Sequence, residues 1–145
     1  MADIYELSID LNLHADLSDD ELAELRWHLG LGPQPEALRL LPEFPDHDPM
    51  PLLGRHGAAW KVGGALTAGL VRQEDLTNRA WALTARQEIH PDQFDITAEL
   101  LTWLATKADD RHRLADGTVH LGRTRFYEDD ESEPLVLRDG EIEWP

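Results

Sequence analysis

Polar and charged side chains alternate with apolar ones in two stretches of this sequence, and the spacing gathers them onto one surface. From Tyr5 to Leu13, the residues Glu6, Ser8, Asp10 and Asn12 interleave with Tyr5, Leu7, Ile9, Leu11 and Leu13. From Trp81 to Ile89, the residues Thr84, Arg86 and Glu88 interleave with Trp81, Leu83, Ala85 and Ile89. Period two is the mark of a half-buried strand, so both polar sets belong on the open face of a sheet. An arginine beside carboxylates can hold an anion, and a neighbouring carboxylate can serve as acid or base. Asp10, Asn12, Arg86 and Glu88 are therefore the ligand-binding candidates, with Asp10 and Arg86 expected to pair across strands. His120 and Thr124 are expected to join this face from the strand at Thr118 to Tyr127, depending on a bulge at Gly122. The weightier expectation is a polar or dimer-facing surface whose charges pair off.

Other groups of suitable residue types are set aside by their spacing. His14, Asp16 and Asp19 are echoed by His90, Asp92 and Asp95, which are the right types for a metal. Each His ends a strand, and the two strands are expected to be antiparallel neighbours. Their ends then lie apart by a strand length, on the order of 20 Å, so the echo reads as duplication and not as a metal centre. Asp46, His47 and Asp48 are adjacent in a proline-flanked extended segment, where side chains rarely converge on one ion. Gly63-Gly64 lacks the Lys-Ser/Thr of a phosphate loop, and none of the three serines stands in a Gly-x-Ser-x-Gly setting. The chain has no cysteine, which removes disulfides, thiolate metal sites and cysteine nucleophiles. No metal, cofactor or catalytic residue is expected.

The elements that must position these residues are legible from pattern. A helix begins at Ser18, which can form a capping box with Glu21, carries Leu22, Leu25 and Leu29, and ends at Gly30 to Pro33. A proline-rich stretch follows over 32–64, with room for one helical turn at Glu36 to Leu41 and otherwise no regular element. Strands are expected at Ala65 to Arg72, Trp81 to Ile89 and Thr118 to Tyr127, and a second helix from Pro91 or Asp95 to Lys107. Phe94, Ala98, Leu101, Ala105 and Ala108 form its core stripe. Asp139-Gly140 centres a C-terminal hairpin within 134–145. The order predicts one α+β domain over 1–145: a ferredoxin-like split β-α-β core, with an antiparallel sheet and two helices on one face.

Composition narrows the partners. Of 145 residues, 29 are acidic and 13 basic, a formal net charge of −16 that repels phosphate backbones and anionic lipids. Neither nucleic acid nor membrane is expected as a partner. The first residues show no signal peptide and no apolar run is long enough to span a bilayer, so a soluble cytoplasmic chain is expected. Trp27 falls off the core stripe of the first helix, while Ile96, Leu100 and Trp103 form a second stripe on the other helix. These four residues are the interface candidates, and they predict a homo-oligomer.

Three stretches, Glu24 to Pro33, Trp81 to Asp92 and Pro134 to Pro145, resemble a family of small uncharacterised actinobacterial proteins. That resemblance implies no activity and no catalytic residue. The preferred functional expectation is a non-catalytic binding or protein-interaction module. The alternatives are a small-molecule binder or small enzyme on the polar sheet face, and an acidic inhibitor or immunity-type protein for a basic partner.

Overall fold

The computed structural model describes residues 3–41, 48–74 and 79–145. The alternating stretch near the N-terminus is β1 (Tyr5–His14), the middle strand of the sheet. It pairs on one side with β4 (Arg79–Ile89), from Tyr5 opposite Ile89 to Leu13 opposite Trp81, and on the other with β5 (Val119–Phe126). Outside β4 lies β3 (Ala65–Arg72), and β2 (Gly57–Ala58) pairs with β3 only at Leu66 and Ala65. Outside β5 lie β6 (Glu133–Arg138) and β7 (Glu141–Ile142), joined through Asp139 and Gly140, both at positive φ. The seven strands run in the order β2-β3-β4-β1-β5-β6-β7, and every pairing is antiparallel.

Two helices complete this α+β architecture. Helix α1 (Asp19–His28) starts where Ser18 Oγ accepts the Glu21 N–H and the Glu21 carboxylate accepts the Ser18 N–H. Helix α2 (Phe94–Lys107) is entered through a 3₁₀ turn at Pro91–Gln93. Leu7, Ile9, Leu11 and Leu13 of β1 share one core with Leu25 of α1, Leu29 at its C-cap, and Leu100, Leu101 and Leu104 of α2. Among the described residues no helix is long and apolar enough to cross a membrane.

Three expectations are corrected by packing. The buried side of α2 takes in Ile96, Thr97, Leu100, Leu101, Leu104 and Ala105, so Ile96 and Leu100 belong to the core and not to an exposed second stripe. Trp103 is half-buried against that core, and Trp27 is only 5% exposed within the single chain. The chain beyond α1 also returns to it. Leu41 and Leu53, from the stretch expected to be an irregular excursion, enter the core, and the Leu53 N–H donates to the His28 carbonyl at 2.9 Å. Trp27, Ile96 and Leu100 thus bury their surface within their own chain, and Trp103 buries part of its own. Residues 36–41 form bends and not a helical turn, and β2 is a short regular element inside the same stretch.

The third correction concerns β5. The register between β5 and β6 shifts between His120 and Gly122, which changes the side that each later residue faces. Thr124 lies opposite Leu7 and is buried, while Arg123 and Arg125 stand opposite Ser8 and Glu6. His120 lies beyond the last β1–β5 pair. Gly122 stands opposite Ile9, where a Cβ would collide with the Ser8 carbonyl oxygen. Gly122→Ala should therefore part the central ladder and cost more than about 3 kcal/mol. Gly69→Ala, where nothing lies within reach of a Cβ, should change stability by less than about 1 kcal/mol. Urea unfolding of the two variants checks the contrast.

Candidate functional site

The open face of the sheet holds a network of charge that closes on itself. Glu6 of β1 has Glu88 directly opposite on β4 and Arg125 opposite on β5. Arg86 stands opposite Ser8 and reaches sideways to the Glu6 carboxylate at 2.5 Å, and Arg125 approaches the other oxygen at 3.3 Å. Each guanidinium also donates to backbone carbonyls: Arg86 to Ala65 at 3.0 Å, and Arg125 to Tyr127 at 3.0 Å and Asp129 at 2.8 Å. The expected Asp10–Arg86 pair does not form. Asp10 stands opposite Thr84, is exposed, and accepts that hydroxyl at 3.4 Å. Arg86 turns the other way, where Glu6 and the chain entering β3 offer it oxygens on two sides.

Glu88 is buried, and its carboxylate accepts three consecutive backbone N–H groups: Trp60 at 2.7 Å, Lys61 at 2.5 Å and Val62 at 3.1 Å. Arg55 adds a guanidinium contact at 3.4 Å. Burial pushes the Glu88 carboxyl up, but these hydrogen bonds and the arginine outweigh it and hold the group below its ordinary value. Gln87 faces the other side of the sheet. Its amide accepts the Arg55 N–H and donates to the Arg55 carbonyl, both at 2.9 Å, and also donates to Thr67 at 3.2 Å. Adjacent residues of β4 thus grip, from opposite faces, the chain that turns around the sheet edge. The Lys61 ammonium lies 4.9 Å from the Trp60 ring centre and 5.5 Å from that of Tyr127.

The same device recurs on α1. Glu24 is buried, and its carboxylate accepts the N–H groups of Arg39 at 2.5 Å, Leu40 at 3.0 Å and Leu41 at 3.1 Å. One turn on, His28 Nδ1 accepts the Leu52 N–H at 3.4 Å, and Nε2 lies 3.9 Å from the Glu24 carboxylate. Burial lowers the His28 pKa to about 4 against the opposing pull of Glu24.

The remaining expected site residue, Asn12, acts at the far end of β1. Its N–H donates to His112 Nε2 at 2.9 Å, and its carbonyl accepts the Asp109 N–H at 2.7 Å. The four ligand-binding candidates are therefore not brought together: Arg86 and Glu88 fasten chain, Asn12 fastens a different segment, and Asp10 stands apart. His14 and His90 sit at opposite ends of the β1–β4 ladder, beside Asp110 and Asp92 respectively. Among the described residues no three His, Asp or Glu side chains are grouped to hold a metal, and Asp46 and His47 lie outside those residues.

A cleft of about 620 Å³ opens between α2 and the β6–β7 connection. Leu40, Leu41, Ala98, Ile142 and Trp144 supply its apolar lining, and Asp95, Glu99 and Glu141 its charge. Trp144 stacks on Phe94 with ring centres 4.2 Å apart and planes within 5° of parallel. Sequence reasoning missed this cleft, because its walls come from three distant parts of the chain. It also missed Glu24 and Gln87. Gln87 carried a signal, since it is the polar residue at an otherwise apolar position of the Trp81-Leu83-Ala85-Ile89 series. Comparison with family models, with curated proteins and with solved structures returns no match.

Two outcomes follow from the fastenings. Glu88→Gln keeps the shape but turns an amide N–H toward backbone donors, which should cost roughly 1–3 kcal/mol and speed limited proteolysis within residues 55–62 ahead of global unfolding. For His28, the unfolded side chain titrates near 6.5 and the folded one near 4, so the unfolded state binds the extra proton between them. Stability attributable to His28 is then complete above pH 6.5 and falls by about 3 kcal/mol as pH drops to 4. His28→Asn, which retains an acceptor and does not titrate, should flatten the urea-midpoint profile over that window.

Proposed function

We propose that this chain is a non-catalytic protein-interaction module, built on a ferredoxin-like core, that pairs with a second copy of itself along the outer edge of β3. The core reading is supported by the order β3-β4-β1-β5 with α1 and α2 between strands in sequence, which is the split β-α-β arrangement. The non-catalytic reading rests on how the charged face is used. Glu6, Arg86, Glu88 and Arg125 engage one another or backbone groups.

One observation carries the association. Beyond the two residues paired with β2, no strand among the described residues lies against the outer side of β3 from Thr67 to Arg72. An edge of this length is a template for another strand unless charge, proline or a bulge blunts it. Here Thr67, Ala68, Gly69, Leu70 and Val71 carry no charge, and Val71 is 64% exposed. Two such edges running antiparallel would continue the sheet from one copy into the other. The net charge of −16 opposes approach of the copies over distance, so added salt should strengthen the pairing by screening it.

Light scattering after size exclusion, at low and at high salt, provides the test. The expected result is a dimer favoured by salt in the wild type and a monomer in Val71→Lys, whose circular dichroism and urea midpoint stay unchanged. A wild-type chain that remains monomeric at sub-millimolar concentration in both salts would sink the proposal, and so would a Val71→Lys dimer of undiminished affinity.

A further inference from the structure

We propose that the groove between α2 and β7 binds a small organic cation, an ammonium or guanidinium group carried on an apolar body. This site is distinct from the β3 edge and does not depend on self-association. The size of the groove, about 620 Å³, falls in the usual range for small-molecule sites, and its lining is mixed, with apolar side chains beside exposed carboxylates. Leu40, Leu41, Ala98, Ile142 and Trp144 offer those walls to the body of a ligand.

Charge selects the occupant. Asp95 and Glu99 lie one turn apart on α2, and Glu141 faces in from the strand across the groove. Among the described residues none of the three takes part in an ion pair or a side-chain hydrogen bond, and no Lys or Arg lines the groove. This contrasts with the sheet face, where the carboxylates of Glu6 and Glu88 each meet a guanidinium. An anion entering the groove would meet uncompensated repulsion, and a neutral ligand would gain only from the apolar walls. A cation gains from both, and the field of a chain with net charge −16 draws it in.

The walls are held in place before any ligand arrives. The Leu40 and Leu41 backbone is fastened by the buried Glu24 carboxylate, and Trp144 is fixed by its stacking on Phe94. Neither contact draws on the three groove carboxylates, which are left to the ligand. Pre-set walls reduce the ordering cost of binding.

Isothermal titration with three ligands that share one indole body isolates the charge: tryptamine is cationic, tryptophol neutral and indole-3-acetate anionic. Octylamine supplies a second cationic body. Wild type should bind tryptamine about 10-fold more tightly than tryptophol at low salt, with indole-3-acetate weakest. In Glu99→Gln/Glu141→Gln that preference should shrink to about twofold or less. Asp130→Asn/Glu131→Gln, which removes the same charge from an exposed stretch at the other end of β6, should keep the preference. Equal affinity for the three indoles, equal loss in both double variants, or no binding of either amine overturns the assignment. Recognition of an amine only within a lysine-bearing peptide also overturns it, and assigns the groove to a protein segment instead.

Discussion

The stretch between α1 and β3 has more than thirty residues but, among those described, only a two-residue strand, so its backbone donors have no ladder to satisfy them. Buried carboxylates take that role. Glu24 and Glu88 each accept three consecutive N–H groups, the concave arrangement of main-chain donors that binds anions elsewhere. Hydrogen bonds to a charged acceptor contribute roughly 1.5–3 kcal/mol each, and a buried carboxylate without them would be prohibitive. The arrangement is therefore mutual: the carboxylates exist in the interior only because the chain wraps them, and the chain is ordered there only because the carboxylates are present. Gly30 and Gly54 bring the two partners close, since a Cβ at Gly30 would run into the Gly54 carbonyl.

This constraint propagates outward in two directions. On the sheet, wrapping the chain around Glu88 places a second carboxylate, Glu6, directly across the strand pair, a juxtaposition that like charges normally avoid. Arg86 and Arg125 resolve it by bracketing Glu6, while Arg55 and the three N–H groups hold Glu88. A triad of this kind contributes less to net stability than its geometry suggests, because all three groups give up water. What it does secure is arrangement, since both arginines also hold backbone carbonyls of the flanking loops. On the helix layer, the Glu24 contact delivers Leu40 and Leu41 to the groove and Leu41 to the core.

Local pattern carried the scaffold. The alternation of Tyr5 to Leu13 is β1, the span Ala65–Arg72 is β3 with the expected ends, and Ser18 with Glu21 forms the capping box that its spacing predicts. What pattern did not reveal depends on parity or on distance. One extra residue near Gly122 puts Arg123 and Arg125 on the open face in place of Thr124; the glycine hints at the bulge, but only the register with β1 and β6 shows which side each later residue takes. Residues of both apolar stripes of α2 enter the core, because a helix set between a sheet and a folded-back chain buries a band wide enough for both. Trp27 is buried within the chain, which its place off the Leu22-Leu25-Leu29 stripe does not foretell. Glu24 gave no local sign at all. A carboxylate beside an apolar stripe usually points to solvent, and only the position of Arg39 to Leu41 in space reverses that.

The acidic composition thus has two roles that a sum of charges merges. Part of it is internal and compensated, as in Glu24 and Glu88, where removing a carboxylate would strip donors of their partner. The other part is external, and most of that is dispersed on loops such as 128–133, where water solvates it. The groove carboxylates Asp95, Glu99 and Glu141 are exposed as well, yet they differ from the loop acids in their neighbours, since Leu40, Ile142 and Trp144 line the same groove and no Lys or Arg does. Acids on a loop offer a cation charge alone, whereas acids beside apolar side chains let one ligand gain from charge and from burial together.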